Sequence, residues 1–438
     1  MILFSIVLVL IALTLTVIAC STLYWMTHAW WSPEHNDATS YPPIRRKHNV
    51  EGFNERALDL PRLSFSLIMP CREEEELVME ATLLALLGQT HPRVEIILSV
   101  GHDDDPTVEI AHRLASAYDN VRVSVNHSPV GTKNKPRQMN DALLMCRNEV
   151  VGIFDAESIA APDLLINIDA VFQSRDADVV QGAVQLINYR DTWYSLRNCL
   201  EYYFWFRSRL HAHAQRGFIP LGGNTVFIKT ALMREVGGWD GNCLAEDCDL
   251  GVRLSTLGHK ITVAYSPRLV TREETPSSIR QMVKQRTRWS LGFMQVLAKG
   301  DWKSLPTRGD RRRAWWCLMQ QHFMAFAGLA VPLSLLTALF VRPALPIVML
   351  TWLPAIPTVS MVVFECAALR EFGRDHGYHI RIYDSVRLLV STPFYQMILA
   401  VASIRAMVKF RRGDFRWEKT SHVGAHLQLI KVPIEESA

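Results

Sequence analysis

The hydrophobic pattern divides the chain in three: two nearly charge-free stretches flank a long segment where short apolar runs alternate with helical spacing. Residues 2–20 carry no charge, and residues 21–31 extend the run with Tyr24, Trp25, Trp30 and Trp31. Such a run is long enough to cross a ~30 Å hydrocarbon core with aromatics at one interface, and it predicts a transmembrane helix over 1–30. A cleaved signal peptide would carry a basic n-region, which is missing here. Val17-Ile18-Ala19-Cys20 also resembles a lipoprotein cleavage box, whose use would export everything downstream. The retained anchor is the preferred reading. A linker over 31–60 follows, and its Arg45, Arg46 and Lys47 place the next domain in the cytoplasm by the positive-inside rule.

From residue 61 the period changes. Leu63–Met69, Val94–Val100, Val121–Val125 and Val150–Phe154 read as short buried strands. Between them Glu73–Leu87, with Leu77, Ala81, Leu84 and Leu87 at helical spacing, Thr107–Tyr118 and Asn140–Cys146 read as helices. Alternation of this kind predicts a doubly wound parallel sheet over 61–275, with ligands at the carboxyl ends of its strands. Residues 276–312 are amphipathic: Ile279, Met282, Val283 and Leu291 oppose Arg280, Lys284, Arg286 and Arg288. A helix of that kind lies at a membrane interface or on the surface of the soluble domain. Within 313–410, apolar runs near 314–341, 344–368 and 387–409 predict further membrane or interfacial helices, with prolines that such helices tolerate. The tail, 411–438, is basic at its start, which argues for the cytoplasm, although an odd number of spans would place it outside. A cytoplasmic tail, with one run interfacial or re-entrant, is the preferred arrangement.

Composition adds two exclusions. A net charge of +4 is too slight for a nucleic-acid binder. The eight cysteines are scattered without a C-x-x-C pair, so free thiols in a reducing cytosol fit better than zinc or disulfides.

Polar clusters fall at the expected strand ends. Asp103-Asp104-Asp105 can accept hydrogen bonds from a base or ribose, or cap the helix that follows. Asp155-Ala156-Glu157 presents two carboxylates suited to Mg2+ or Mn2+ beside a pyrophosphate, or forms a capped turn. Lys133 to Arg137, leading to Asn140, can neutralise a diphosphate or be a solvated loop. Leu221-Gly222-Gly223-Asn224-Thr225 allows close backbone approach. Trp239, in Gly237-Gly238-Trp239-Asp240, offers a stacking face for a sugar or packs in the core. Asp247, in Ala245-Glu246-Asp247, is a helix cap or an ionised carboxylate able to deprotonate a hydroxyl.

These motifs occur in an order that resembles the membrane-integrated family 2 glycosyltransferases related to cellulose and hyaluronan synthases. The series runs from Pro70-Cys71-Arg72-Glu73-Glu74 through the clusters above to Gln285-Arg286-Thr287-Arg288-Trp289, with Trp417-Glu418-Lys419-Thr420 near the end. The resemblance implies a GT-A fold, Rossmann-like, with transmembrane helices at both ends. It also implies inverting transfer from a UDP-sugar to a growing polysaccharide, with export through the protein's own helices or accessory subunits. The alternative is single-sugar transfer to a lipid, as in ceramide-type glucosyltransferases, which also carry an Asp-Asp-Pro loop like Asp104-Asp105-Pro106. By the same resemblance, Glu74 and Asp103, Asp104 or Asp105 would hold the nucleotide, and Lys135 would lie near the diphosphate. Asp155 and Glu157 would bind nucleotide and metal. Asp247, beside Glu246, would be the base, and Trp239, Gln285, Arg288 and Trp289 would hold diphosphate and acceptor. Two positions depart from the family pattern: Glu157 completes D-x-E rather than D-x-D, and Ala245 replaces a common Thr.

Overall fold

The computed structural model describes residues 2–31, 61–127, 134–340 and 344–418. The 31–60 linker beyond Trp31, Lys133, and the tail from Lys419 lie outside the described residues. Helix α1 (Ile2–Trp31) precedes the α/β domain. That domain opens with β1 (Phe65–Pro70), α2 (Glu76–Leu87), β2 (Val94–Gly101), α3 (Asp105–Ala115), β3 (Val121–Asn126), α4 (Lys135–Met145) and β4 (Val150–Ile153). It continues with α5 (Leu164–Arg175), β5 (Val179–Gln181), β6 (Val184–Leu186) and α6 (Ser195–Phe204), which runs through a π-turn, Trp205–Arg209, into α7 (Leu210–Ala214). Then come β7 (Val226–Lys229), α8 (Thr230–Glu235), α9 (Glu246–Thr256), β8 (Ile261–Val263) and β9 (Thr271–Glu273).

The main sheet has the order β3-β2-β1-β4-β7-β5-β8, and β6 pairs with β9 beside it. The expected parallel sheet is therefore mostly correct. The exception is β7, which lies antiparallel to both β4 and β5. Period-two alternation sorts the side chains onto two faces. Phe65, Leu67 and Met69 of β1 pack with Met79 and Leu83 of α2, whereas Ile68 faces Met139 and Leu143 of α4. One helix buries a different stripe from the expected one. Leu77 and Leu84 are exposed, and α2 instead turns Val78, Met79, Leu83 and Leu86 inward.

After the α/β domain, α10 (Ile279–Lys299) is capped by the Ser278 side chain and ends at Gly300. It is less a surface helix than its pattern suggests. Arg286 turns inward to Glu201 (2.5 Å) and Asn198 (2.7 Å), while Ile279 is exposed. The remaining helices are α11 (Arg308–Phe340), α12 (Leu345–Thr351), α13 (Ala355–Asp375) and α14 (Ile382–Arg411). Ser5–Trp31, Leu345–Asp375 and Ile382–Arg411 are long and apolar enough to cross a membrane.

Helix α14 is tied to the α/β domain through its first half, to α10 beyond it and to the tail at its end. Asp384 lies 3.8 Å from Arg190, and Arg387 donates to the Thr192 carbonyl. The Tyr395 hydroxyl donates to Glu201 at 2.5 Å, and the Ala402 carbonyl accepts from Thr287. At its end Arg405 and Lys409 hold Glu418. By contrast, α1 meets the domain through its C-terminal part, and α13 through its C-terminal half, where Glu365 pairs with Arg197 at 2.5 Å. Trp30 donates to Glu371 at 2.8 Å, and Arg207 pairs with Glu371 and Asp375.

Candidate active site

A cavity of about 480 Å³ opens beyond the carboxyl ends of β1 and β4 and continues between α6, α10 and the apolar helices. The strand ends supply its first wall. Arg72, just past β1, and Asp155 and Glu157, just past β4, face the space. The Lys135 ammonium, at the start of α4, donates to the Asp155 carboxylate. Burial disfavours that charge, but Asp155 and Glu246 outweigh it and keep the lysine firmly protonated.

The second wall is the start of α9. Glu246 and Asp247 are adjacent and both line the cavity. Burial first, then the neighbouring Asp247, push the Glu246 carboxyl up to about 7. Asp247 is also raised, chiefly by burial, while the Cys248 N–H at 2.7 Å and the charges of Lys135 and Arg288 oppose the shift. The pair is thus poised to exchange a proton near neutrality, with cations close enough to keep a carboxylate present. A side chain at Gly223 would press on Asp247, 3.1 Å away, so the glycine turn leaves that carboxylate its room.

Helix α10 closes the third side with Gln285, Arg288, Trp289 and Phe293. It reaches the start of α9 because Gly292 faces Ala245, where an added Cβ would meet the Ala245 Cβ at 2.5 Å. The Arg286 guanidinium lies 4.7 Å from the centre of the Trp289 ring and fixes its orientation. Trp417 lines the same cavity, so the tail returns to the site.

Of the expected residues, Glu74, Lys135, Asp155, Glu157, Glu246, Asp247, Gln285, Arg288 and Trp289 converge on this one space. The acidic loop does not line it. Asp103 grips Arg72 through two bonds of 2.7 and 2.9 Å, Asp104 accepts the Glu73 N–H, and Asp105 begins α3. The loop therefore acts on the cavity through Arg72, whose guanidinium holds the Asp103 carboxyl below its usual range. Trp239 is corrected more strongly. Its side chain is 4% exposed within the core, and Asn140 clasps its backbone rather than a phosphate.

Glu273, at the end of β9, is a cavity residue outside the expected set. It accepts from Ser158 (3.0 Å) and Asn224, and its carboxyl is pushed up to about 8 by burial and then by Asp155 and Glu157. Three carboxyls at this end outnumber the nearby cations. Its strand is only three residues long and gives the sequence no period to read.

The profile of the family described as Glycosyltransferase like family 2 matches residues 61–292. A beta-monoglucosyldiacylglycerol synthase of Trichormus variabilis is 26% identical over 373 residues, covering 83% of this chain and 77% of the relative. A poly-beta-1,6-N-acetyl-D-glucosamine synthase of Staphylococcus epidermidis is 24% identical over 256 residues, covering 56% of this chain and 58% of the relative. The mannosyltransferase PcManGT of Pyrobaculum calidifontis, solved with GDP-Man and Mn2+, superposes with a TM-score of 0.56 at 19% identity. That match covers 92% of this chain and 99% of the mannosyltransferase, a likeness of fold. Because the family profile covers over half of the chain, including the sheet and both carboxylate-bearing walls, the protein belongs to glycosyltransferase-like family 2 and is a sugar-transferring enzyme.

Proposed function

We propose that the enzyme moves a sugar from a UDP-sugar to a hydroxyl of a membrane lipid, inverting the anomeric centre. One observation carries the reading. The cavity runs without interruption from Lys135, Asp155 and Glu157, past Asp247 and Trp289, to Thr22, Trp25 and Met324 on the apolar helices. The donor diphosphate belongs at Lys135 and Arg288, where two cations face the space. The acceptor hydroxyl belongs between Trp289 and Asp247. Asp247 takes the hydroxyl proton as the oxygen attacks the anomeric carbon, and the UDP leaves on the opposite face. A single displacement needs no covalent enzyme intermediate, and one base suffices.

Asp155 and Glu157 would hold Mg2+ or Mn2+, which when bound supplies positive charge to the departing diphosphate. The crowding of Glu273 against both carboxyls fits that assignment. Among the described residues no three side chains converge as a complete protein site. Diphosphate and water oxygens would fill the remaining positions, as hard divalent ions favour.

The contacts of α14 favour a topology with α1, α11 and the α12–α13 pair crossing the membrane and α14 lying along its cytoplasmic face. In that topology Trp417 and Glu418 lie in the cytoplasm beside the site, and the number of crossings agrees with a cytoplasmic tail. Reporter fusions at His379 and after Glu418 are expected on the same side as the catalytic domain. A reporter at His379 on the far side would overturn this topology.

The second reading is extension of a polysaccharide. It is favoured by the Gln285–Trp289 run and by the likeness to the poly-beta-1,6-N-acetyl-D-glucosamine synthase over 256 residues. The lipid reading is preferred because the likeness to the beta-monoglucosyldiacylglycerol synthase extends over 373 residues of the chain. A screen of nucleotide-sugar donors for UDP release, with purified protein in lipid nanodiscs, tests the shared chemistry. Lack of UDP release or transfer with every UDP-sugar would overturn it.

A further inference from the structure

The part of the cavity facing away from the strand ends differs from the donor part in composition and in where it stops. Its wall is Thr22, Trp25 and Met26 of α1, Met324 of α11, and Leu399 of α14, interrupted by the amides of Gln285, Gln321 and Gln396. Two of those amides have unused capacity. The Oε1 atoms of Gln285, which is 9% exposed, and of Gln396 are buried with no hydrogen-bond partner among the described residues. Gln321 spends its carbonyl on the Ser290 hydroxyl, which leaves its NH2 end for another acceptor. A buried amide with an unpaired end costs free energy, and because a flip interchanges its NH2 and carbonyl ends, such groups accumulate where a ligand supplies the missing bond. Neutral amides suit hydroxyls, which donate and accept, better than they suit phosphate. Two of the charged side chains nearest this end are matched internally, Arg286 by Glu201 and Arg197 by Glu365. Arg209 stacks on Trp205 and donates to Gln320, which holds the wall of the pocket together.

The cavity also ends part-way along the apolar helices. Arg313 of α11 touches the α/β domain through the Arg216 carbonyl, and Met324 lies about 16 Å farther along that helix. Thr22 lies about 12 Å along α1 from Trp30, which is bonded to Glu371. Both distances, counted from contacts with the α/β domain, fall well short of the ~30 Å needed to cross a hydrocarbon core. At that level the Thr22 hydroxyl meets the Met324 sulfur at 3.9 Å, and α11 crosses α14 where Gly328 abuts the Gln396 carbonyl. A Cβ at 328 would stand 3.2 Å from that oxygen, so the two helices are in close contact at this crossing.

We propose that this end is a one-leaflet acceptor pocket for a single neutral lipid with a hydroxyl head group. The amide NH2 groups of Gln285, Gln321 and Gln396 donate to the head group's ester oxygens, its hydroxyl reaches Asp247, and the helix crossings at Thr22 and Gly328 form the floor. The acyl chains lie against Trp25, Met26, Met324 and Leu399. Diacylglycerol is the simplest lipid of this chemistry. The product leaves into the leaflet from which the acceptor came. The inference rests on the lipid-acceptor reading and adds the residues that select the lipid.

The test is steady-state kinetics of the full-length protein in nanodiscs, with diacylglycerol, phosphatidic acid or a short glucan as acceptor. In wild type, diacylglycerol is expected to be used and phosphatidic acid rejected. Gln321→Leu and Gln396→Leu should each raise the KM for diacylglycerol about tenfold, while the KM for the UDP-sugar stays within twofold and Gln396→Asn partly recovers the loss. UDP binding by calorimetry separates this pattern from misfolding. Transfer to diacylglycerol with an unchanged acceptor KM in both leucine variants would overturn the pocket and leave the lipid reading standing. Transfer to glucan alone would overturn both.

Discussion

At the strand ends of the cavity, ionised groups face one another: Lys135 with Asp155, Arg72 with Asp103, and Glu246 and Asp247 within the field of Arg288. At the membrane end, glutamines stand among tryptophan, methionine and leucine. The difference follows from what each end must do. A departing diphosphate and a hydroxyl losing its proton both develop charge, and fixed charges aimed at them act most strongly where water is excluded. The ester and acyl parts of a lipid acceptor develop none, so shape and a few amide hydrogen bonds suffice there. Substitutions at the charged end should therefore act on turnover, and those at the neutral end on acceptor affinity.

The largest effect is expected from Asp247→Asn. Loss of the base should lower kcat by about 10²–10⁴-fold with UDP binding retained by calorimetry. Full turnover in this variant would remove Asp247 from its role. Next is Arg288→Ala, which deletes the bidentate partner of the diphosphate and should cost about 10²-fold in kcat/KM. Gln321→Leu or Gln396→Leu at the neutral end, by contrast, should leave kcat nearly alone.

The pH profile sharpens the comparison. A base must be deprotonated to act, so activity is present above its pKa and lost as pH falls through it. Because burial raises both Asp247 and Glu246, the latter to about 7, the acidic limb of kcat/KM should lie well above the ordinary carboxylate value of about 4. Glu246→Gln removes the like-charged neighbour and should move that limb down by roughly one unit. A limb that stays at the ordinary carboxylate value in wild type would contradict the coupled pair.

The smallest effect on catalysis is expected at Trp239. Its ring is core, so Trp239→Phe should lower Tm by a few degrees while both KM values stay within twofold. A selective rise in acceptor KM would restore its sugar-stacking role.

The charged end was largely readable in the sequence, because short apolar strands end abruptly in polar clusters, as Val150–Ile153 does before Asp155 and Glu157. What failed there is instructive. Trp239 beside two glycines has the same local sequence whether its ring faces a sugar or the core, and only the clasp by Asn140 decides. Asp103 and Arg72 lie on different loops, so their pairing is a tertiary fact. Glu273 was missed because β9 is too short to show a period. The neutral end was scarcely readable. Gln321 and Gln396 are single polar residues in long apolar helices, and nothing local says that they meet across a cavity. Composition also gives α14 the look of a span, whereas Asp384, Arg387, Tyr395 and Arg405 tie it to the α/β domain or its tail.

The central claim is that charged donor chemistry and a neutral lipid pocket meet at Asp247 in one cavity. The most direct measurement supplies the purified enzyme in nanodiscs with radiolabelled UDP-sugar, Mg2+ and diacylglycerol, and then follows the label by solvent partition and mass spectrometry. The account requires the label in the organic phase, as a lipid carrying one sugar, in wild type and not in Asp247→Asn. Label recovered in a water-soluble polymer, or equal glycolipid from both proteins, would contradict it.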